Sequence, residues 1–170
     1  MDCIWRDMDF GDEQKRRVAF HEAGHAWMML KEELGVISVS MVPGSPVQGD
    51  NRGETLPEVV MEEGRKELSE KFAKAALAGS AAEHFLLGNW DEASLQASAY
   101  DKGRAKSFLA MSGADWKPEA LDHYVHALSN SVLEEISRPG AWHTITALAY
   151  ELSQAGILTG DEVLEILSEM

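Results

Sequence analysis

The chain has 170 residues, of which 45% are hydrophobic, and these values predict one folded domain with a sizeable core. Its 15 lysines and arginines against 29 aspartates and glutamates give a net charge of −14, which repels the phosphates of nucleic acids and anionic lipids. Nucleic acid is therefore not an expected partner. The one cysteine, Cys3, cannot form a disulfide within the chain, so a disulfide scaffold is excluded as well.

Signals for export, membrane insertion and nucleotide binding are not found in the sequence. The N-terminal residues have neither the basic start nor the apolar run of a signal peptide, and no uninterrupted apolar stretch reaches the about 18 residues of a membrane span. No Gly-Lys dipeptide occurs, so the phosphate-binding loop that ends in Gly-Lys-Ser/Thr is absent. We expect a cytoplasmic protein without a membrane span, in which any use of ATP requires a partner ATPase.

The first predicted elements are a helix and a strand. Residues 12–34 place alanines, a tryptophan and leucines at helical spacing, and Gly35 is the expected stop. Residues 36–42 alternate serine with apolar side chains, which is the period of a half-buried strand. Turn-forming residues fill 43–57, where a short second strand is expected at 53–56.

Helices are expected in the rest of the chain, because apolar residues recur there at helical spacing between proline and glycine breaks. The predicted ranges are 62–87, 95–111, 118–137 and 142–154, followed by a short terminal helix that begins after Thr159. Thr159 and Glu162 form the Thr-x-x-Glu capping box that starts this last helix. The fold class is therefore mainly α, with a small β-strand or hairpin element after the first helix.

His21, Glu22 and His25 form the pattern HExxH in the middle of the first predicted helix. At about 100° per residue the two histidines lie about 40° apart on one face, so both imidazoles can bind one ion. Glu22 lies about 60° beyond His25, where its carboxylate can hydrogen-bond a water beside the metal. Two imidazoles with a carboxylate favour zinc, which activates a water in its fourth position. The alternative, two ordinary helix histidines without a metal, is disfavoured because the pattern is rare by chance.

A third ligand must come from elsewhere in the chain, and Asp101 is the candidate. Asp101 lies on the apolar stripe of its predicted helix, where a carboxylate is costly unless it is paired or metal-bound. A surface aspartate that pairs with Lys102 or Arg104 is the alternative. The residues alone leave both open.

Several segments occur in the order found in a known family. They read VAFHEAGHA at 18–26, VSMVPG at 39–44, ALAGSAAE at 76–83, ALA at 147–149 and LTGDEV at 158–163. Together they resemble the peptidase domain of the FtsH family of ATP-dependent zinc metalloproteases. The resemblance implies a single peptidase domain over 1–170, with the HExxH helix and strand in 12–57 and a helical remainder in 58–170. It also implies that the third zinc ligand of the family falls on Asp101.

The sequence departs from the family at two places. Where the family usually reads Gly-Ala-Ser-Asn-Asp, residues 96–101 read QASAYD, so Glu83, Asp91 and Glu92 stay alternative ligands. Glu83 fits better as an acceptor for the N–H of a ligand imidazole. Family members carry transmembrane segments and an ATPase module before the peptidase domain, and neither is found in this sequence. We therefore expect a free-standing peptidase domain, with a homo-oligomer or a partner ATPase as its expected assembly.

Two functions are therefore expected from the sequence. The first is an FtsH-like zinc metalloendopeptidase that hydrolyses peptides or unfolded proteins, with Glu22 as the general base. An extended peptide substrate is expected to pair with the strand at 36–42. The second is a catalytically weak or inactive zinc-binding adaptor module that acts with a larger partner.

Overall fold

A computed structural model describes residues 8–41, 53–89 and 91–169, apart from the side chain of Ala93. Over these residues the chain forms six helices and three short strands, which confirms a mainly helical fold with a small β element. In chain order the elements are α1 (Glu13–Lys31), β1 (Ser38–Ser40), β2 (Glu54–Leu56), α2 (Lys66–Leu87), α3 (Glu92–Ala110), α4 (Pro118–Ile136), α5 (Pro139–Ala155), β3 (Ile157–Thr159) and α6 (Gly160–Ser168).

Helix α1 is shorter at its C-terminal end than the apolar spacing predicts. It begins after Asp12, whose carboxylate accepts a hydrogen bond of 2.8 Å from the backbone N–H of Lys15. It ends at Lys31, and the chain then turns through Glu33, which has a left-handed φ of 61°. Leu34 is nevertheless buried, because this turn and not a further helical turn carries it into the core.

The packing of α1 against α2 is unusually close at one point. A Cβ atom at Gly24 would lie 2.6 Å from the carbonyl oxygen of Ala78 and 2.7 Å from the Cβ of Ala82. The backbone of α1 at Gly24 therefore packs directly against α2, which is possible because the residues of α2 at this contact are alanines. The large buried side chains of the core around this contact include Phe20, Met28, Leu77, Ile145 and Leu148. This packing sets the face of α1 that carries HExxH against α2.

The three strands form one antiparallel sheet in the order β2-β1-β3. At its centre Val39 lies opposite Thr55 on one side and Leu158 on the other, and all three are buried. The predicted second strand at 53–56 corresponds to β2. The strand predicted at 36–42 is shorter, and its last residue, with the predicted loop at 43–52, lies outside the described residues.

Strand β3 is not predicted by the sequence pattern. It has three residues, too few for an alternating pattern to be recognised, and it exists because it pairs with β1. The predicted capping box follows it directly. The Thr159 hydroxyl accepts from the backbone N–H of Glu162 at 3.3 Å, and the Glu162 carboxylate accepts from the backbone N–H of Thr159 at 2.7 Å.

Three helices begin at other residues than predicted, each for a local reason. Helix α2 begins after a turn at Gly64, whose φ of 82° is not helical. Helix α3 begins earlier because the carboxylate of Asp91 caps it, accepting from the backbone N–H of Ser94 at 2.8 Å. Helix α5 also begins earlier, since Pro139 occupies its first turn, where no hydrogen-bond donor is needed.

None of the helices in the described ranges has the length and apolar character that crossing a membrane requires.

Candidate metal centre and catalytic site

The structure brings the three predicted ligands together. Helix α1 carries His21 and His25 one turn apart, and α3 carries Asp101 to meet them; all three are at most 5% exposed. The two Nε2 atoms are 3.1 Å apart. Asp101 Oδ2 lies 3.8 Å from His21 Nε2, and its Oδ1 lies 3.9 Å from His25 Nε2. Within the described part of the chain, the ligand atoms of these three residues all lie within 4.8 Å of one another, close enough to hold one metal ion.

The donor set and its spacing fit a zinc ion. Ligand atoms on a tetrahedral zinc lie about 2.0–2.2 Å from the ion, and therefore about 3.3–3.6 Å from one another. The three separations in this cluster, 3.1, 3.8 and 3.9 Å, lie on both sides of that range. Small side-chain movements are enough to bring all three atoms to one ion. Three protein ligands are also the number that catalytic zinc sites use, with one position left open.

The outer nitrogens of the two imidazoles are engaged by acceptors. His25 Nδ1 lies 2.7 Å from the carbonyl oxygen of Ala75, and His21 Nδ1 lies 3.3 Å from Glu83 Oε2. Because both partners accept hydrogen bonds, we assign the protons to Nδ1, which leaves the Nε2 lone pairs directed at the cluster. Asp101 is oriented in the same way, because its Oδ2 accepts a hydrogen bond of 2.9 Å from the backbone N–H of Ser80.

The alternative third ligands lie elsewhere. Glu83 contacts the outer nitrogen of His21, as an acceptor and not as a member of the cluster. Asp91 caps α3 and binds Arg17, and Glu92 is exposed in the first turn of that helix.

Arg17 is a supporting residue that the sequence reasoning missed. Its guanidinium donates to Glu83 Oε1 from Nε at 3.0 Å and to both oxygens of Asp91, at 2.7 and 2.9 Å. It also donates to the hydroxyl of Ser94 at 3.0 Å. Arg17 thus joins α1, α2 and α3 around the acceptor of His21. Its position one helical turn before His21, on the same face of α1, was the sequence signal for this role.

Gly79, in the segment of small residues at 76–83, lies directly against the imidazoles of His21 and His25. A Cβ atom there would collide with Nε2 of His25 and lie 2.7 Å from Nε2 of His21. Any larger residue would therefore occupy the space of the two candidate ligand atoms.

Glu22 lies beside the cluster and is 2% exposed. Its Oε2 accepts a hydrogen bond of 2.9 Å from the hydroxyl of Thr55, which is buried on β2. Burial raises the pKa of Glu22 to about 7, and the Thr55 hydrogen bond opposes that increase. Thr55 was not predicted, although a small polar residue at an inward-facing strand position was a signal. Gly53 lets the chain pass close to Glu22, since a Cβ there would lie 2.7 Å from Glu22 Cγ.

The two histidines differ in proton affinity. Burial lowers the pKa of His25 to about 4. Burial acts in the same direction on His21, but the negative charges of Asp101 and Glu83 outweigh it and raise the pKa of His21. His21 therefore binds a proton more readily than His25, and metal binding competes with protons at this site.

A cavity of about 520 Å³ opens over the cluster. His21, Glu22, His25 and Asp101 all line it, so the polar groups converge in one part of a largely apolar wall. Strand β2 forms one side. The apolar lining residues are Met29, Leu56, Pro57, Val59, Val60, Met61, Phe72, Ala75, Ala76 and Phe108.

Comparison with known proteins gives a partial link to one family. No family model matches the chain. The chain is 31% identical over 190 residues to the ATP-dependent zinc metalloprotease FtsH 2 of Symbiobacterium thermophilum, an alignment that covers 92% of this chain. The chain spans about 30% of the length of that relative. The similarity is a partial link to the FtsH protease family.

Proposed function

We propose that the protein is a zinc metalloendopeptidase in which His21, His25 and Asp101 hold the metal and Glu22 is the general base. The observation that supports this most strongly is the meeting of two imidazole nitrogens and a carboxylate in a substrate-sized cavity, with a second, separately held carboxylate beside them. The relative named as a zinc metalloprotease supports the same class.

Zinc, when bound, supplies Lewis-acid activation of a water molecule and of the scissile carbonyl group. Glu22 accepts the proton of the attacking water and delivers it to the leaving amine. Its pKa of about 7 suits both steps at neutral pH, because the carboxylate then gains and loses a proton at little cost. Thr55 keeps the carboxylate in one orientation during both transfers.

The edge of the sheet that can hold a peptide is that of β2. The expectation that a substrate pairs with the strand at 36–42 is wrong, because β1 is already paired on both sides. In the described residues no strand pairs with the outer edge of β2, and this strand lines the cavity. An extended peptide that adds to β2 would pass directly over Glu22 and the metal ligands.

Peptides and unfolded chains are the proposed substrates. Pairing with β2 requires an extended backbone, which a folded protein does not present. The same proposal includes a cytoplasmic location and assembly as a homo-oligomer or with a partner ATPase. The partner ATPase is supported by the relative, which is named ATP-dependent.

A zinc-binding adaptor module is the second candidate. It is supported by the same cluster of His21, His25 and Asp101, which can hold a metal ion whether or not a water is activated there. The two candidates share the metal ligands and differ in the role of Glu22.

Hydrolysis of an unfolded casein-like chain separates them. The protein is loaded with zinc and compared with Glu22→Gln loaded to the same zinc content. Cleavage by the wild type that a chelator abolishes, and that Glu22→Gln lacks, supports the peptidase. Zinc binding without cleavage in either sample supports the adaptor and overturns the peptidase.

A further inference from the structure

Arg104 is a cationic residue in the cavity that the proposed mechanism does not use. It follows Asp101 by three positions on α3, so both side chains project from the same face of the helix. Arg104 lines the cavity together with His21, Glu22 and His25.

Among the described lining residues Arg104 is the one lysine or arginine. The acidic residues of that lining are Glu22, Glu54 and Asp101. None of the three forms an ion pair with Arg104, although each could neutralise it at short range. Most of the remaining lining residues are apolar.

Two other cations close to these helices do form ion pairs. Arg17 binds Glu83 and Asp91, and Lys106, two residues further along α3, binds Asp122 at 2.6 Å. In the parts of the chain that are described, Arg104 forms no ion pair; its guanidinium carbon lies 6.0 Å from the centre of the Phe108 ring. Arg104 is exposed at the cavity, and a contact with the face of a ring uses none of the hydrogen-bond donors of its guanidinium.

A planar guanidinium matches a carboxylate with two parallel hydrogen bonds, and it selects carboxylates over neutral groups for that reason. We propose that Arg104 determines specificity by binding a carboxylate of the peptide, so that the site prefers peptides with an acidic group close to the scissile bond. This inference rests on the proposed peptidase function. The carboxylate is either an aspartate or glutamate side chain or the free C-terminus of the peptide, and both have the same chemistry.

Four peptides of one sequence test the proposal and separate the two sources. They carry Glu or Gln at one position beside the scissile bond, each with a free or an amidated C-terminus. The ratio of kcat/KM for an acidic peptide over its neutral counterpart is measured for the wild type and for Arg104→Gln. Lys102→Gln is the matched control, since it removes a positive charge from the same helix at a residue that does not line the cavity.

The wild type should prefer the acidic peptide by about tenfold, the effect of one charge-assisted contact that is partly open to solvent. The ratio should fall to about one in Arg104→Gln and stay near tenfold in Lys102→Gln. A preference that follows the Glu/Gln pair identifies a side-chain carboxylate, and one that follows amidation identifies the C-terminus. A wild-type ratio of one overturns the proposal. An equal preference for the acidic peptide in Arg104→Gln also overturns it, because the preference would then come from another residue.

Binding measured without turnover keeps this inference separate from the peptidase proposal. The same four peptides, labelled with a fluorophore, are titrated with zinc-loaded Glu22→Gln and with Glu22→Gln that also carries Arg104→Gln. The acidic peptides should lose about tenfold in affinity in the second protein. If this loss is seen while the wild type cuts no peptide, the carboxylate site stands and the peptidase fails. If peptides are cut but no loss is seen, the peptidase stands and the carboxylate site fails.

Discussion

Replacing Gly79 with alanine tests the geometry of the candidate metal centre with a single methyl group. The added Cβ would collide with Nε2 of His25 and lie 2.7 Å from Nε2 of His21. Gly103→Ala is the matched control, because Gly103 also lies inside a helix, and a Cβ there would have no neighbour within 4 Å.

The two substitutions should change stability in opposite directions. Alanine inside a helix is more stable than glycine by about 0.5–1 kcal/mol, and Gly103→Ala should gain about that amount. At Gly79 an ordinary carbon–nitrogen contact of about 3.5 Å requires His21 to move by about 0.8 Å, and overpacking of this kind costs about 1–3 kcal/mol. We therefore expect Gly79→Ala to lose about 1–2 kcal/mol of unfolding free energy after its gain in helix propensity.

The metal should be affected more strongly than the fold. This movement of His21, about 0.8 Å, exceeds the deviation of about 0.2 Å that zinc–ligand distances tolerate. We expect zinc affinity in Gly79→Ala to fall by at least about tenfold, while Gly103→Ala binds zinc like the wild type.

Denaturant unfolding in the presence of a chelator measures the first effect, and zinc titration against a competing chelator measures the second. The reasoning would be refuted if Gly79→Ala gained stability as Gly103→Ala does and bound zinc with unchanged affinity.

Three further predictions concern residues that support the site. Glu22→Gln should retain zinc and lower kcat on unfolded casein by about 10²–10⁴-fold, the contribution of a general base; a wild-type rate contradicts that role. Thr55→Val removes a hydrogen bond that lowers the pKa of Glu22, so the acid limb of the kcat–pH profile should shift to higher pH, whereas Thr55→Ser should leave it in place. An unmoved acid limb in Thr55→Val would count against the contact. Burial raises the pKa of Glu83, but hydrogen bonds from His21 and Arg17 outweigh burial and lower the folded-state pKa to about 2. The ionised Glu83 carboxylate therefore stabilises the fold above pH 4.5, and this stabilisation is lost as the pH falls toward 2. Arg17→Gln should lose less stability between pH 6 and pH 3 than the wild type in urea unfolding; an equal loss would show that the Arg17–Glu83 contact does not contribute.

The part of the site that sequence alone predicts is the part set by local geometry. His21, Glu22 and His25 lie within one helical turn and a third, so their relative directions follow from helix periodicity once α1 is recognised. Asp101 was only a candidate on this reasoning, because the residues alone left a surface aspartate equally open and the family resemblance decided for Asp101. The structure places its Oδ2 3.8 Å from His21 Nε2. The start of α6 was predictable for the same local reason, since the capping box joins Thr159 to Glu162, only three residues further along the chain.

The residues that the sequence did not reveal act across long distances along the chain. Thr55 meets Glu22 from a strand 33 residues away, and Arg17 meets Glu83 from a helix 66 residues away. These contacts depend on how α1 packs against the sheet and α2, which no spacing encodes. Strand β3 was missed for the same reason, because only its pairing with β1 makes those three residues a strand.

Zinc binding to the purified protein tests the central claim most directly. Stoichiometry and affinity are measured for the wild type, for Asp101→Asn and for Glu92→Gln, an acidic residue of the same helix that was an alternative ligand and lies exposed in its first turn. We predict one zinc per chain in the wild type and in Glu92→Gln, and an affinity reduced by at least about 100-fold in Asp101→Asn, which removes a ligand charge. Absence of zinc after reconstitution of the wild type, or unchanged affinity in Asp101→Asn, would contradict the assignment of His21, His25 and Asp101 as the metal centre.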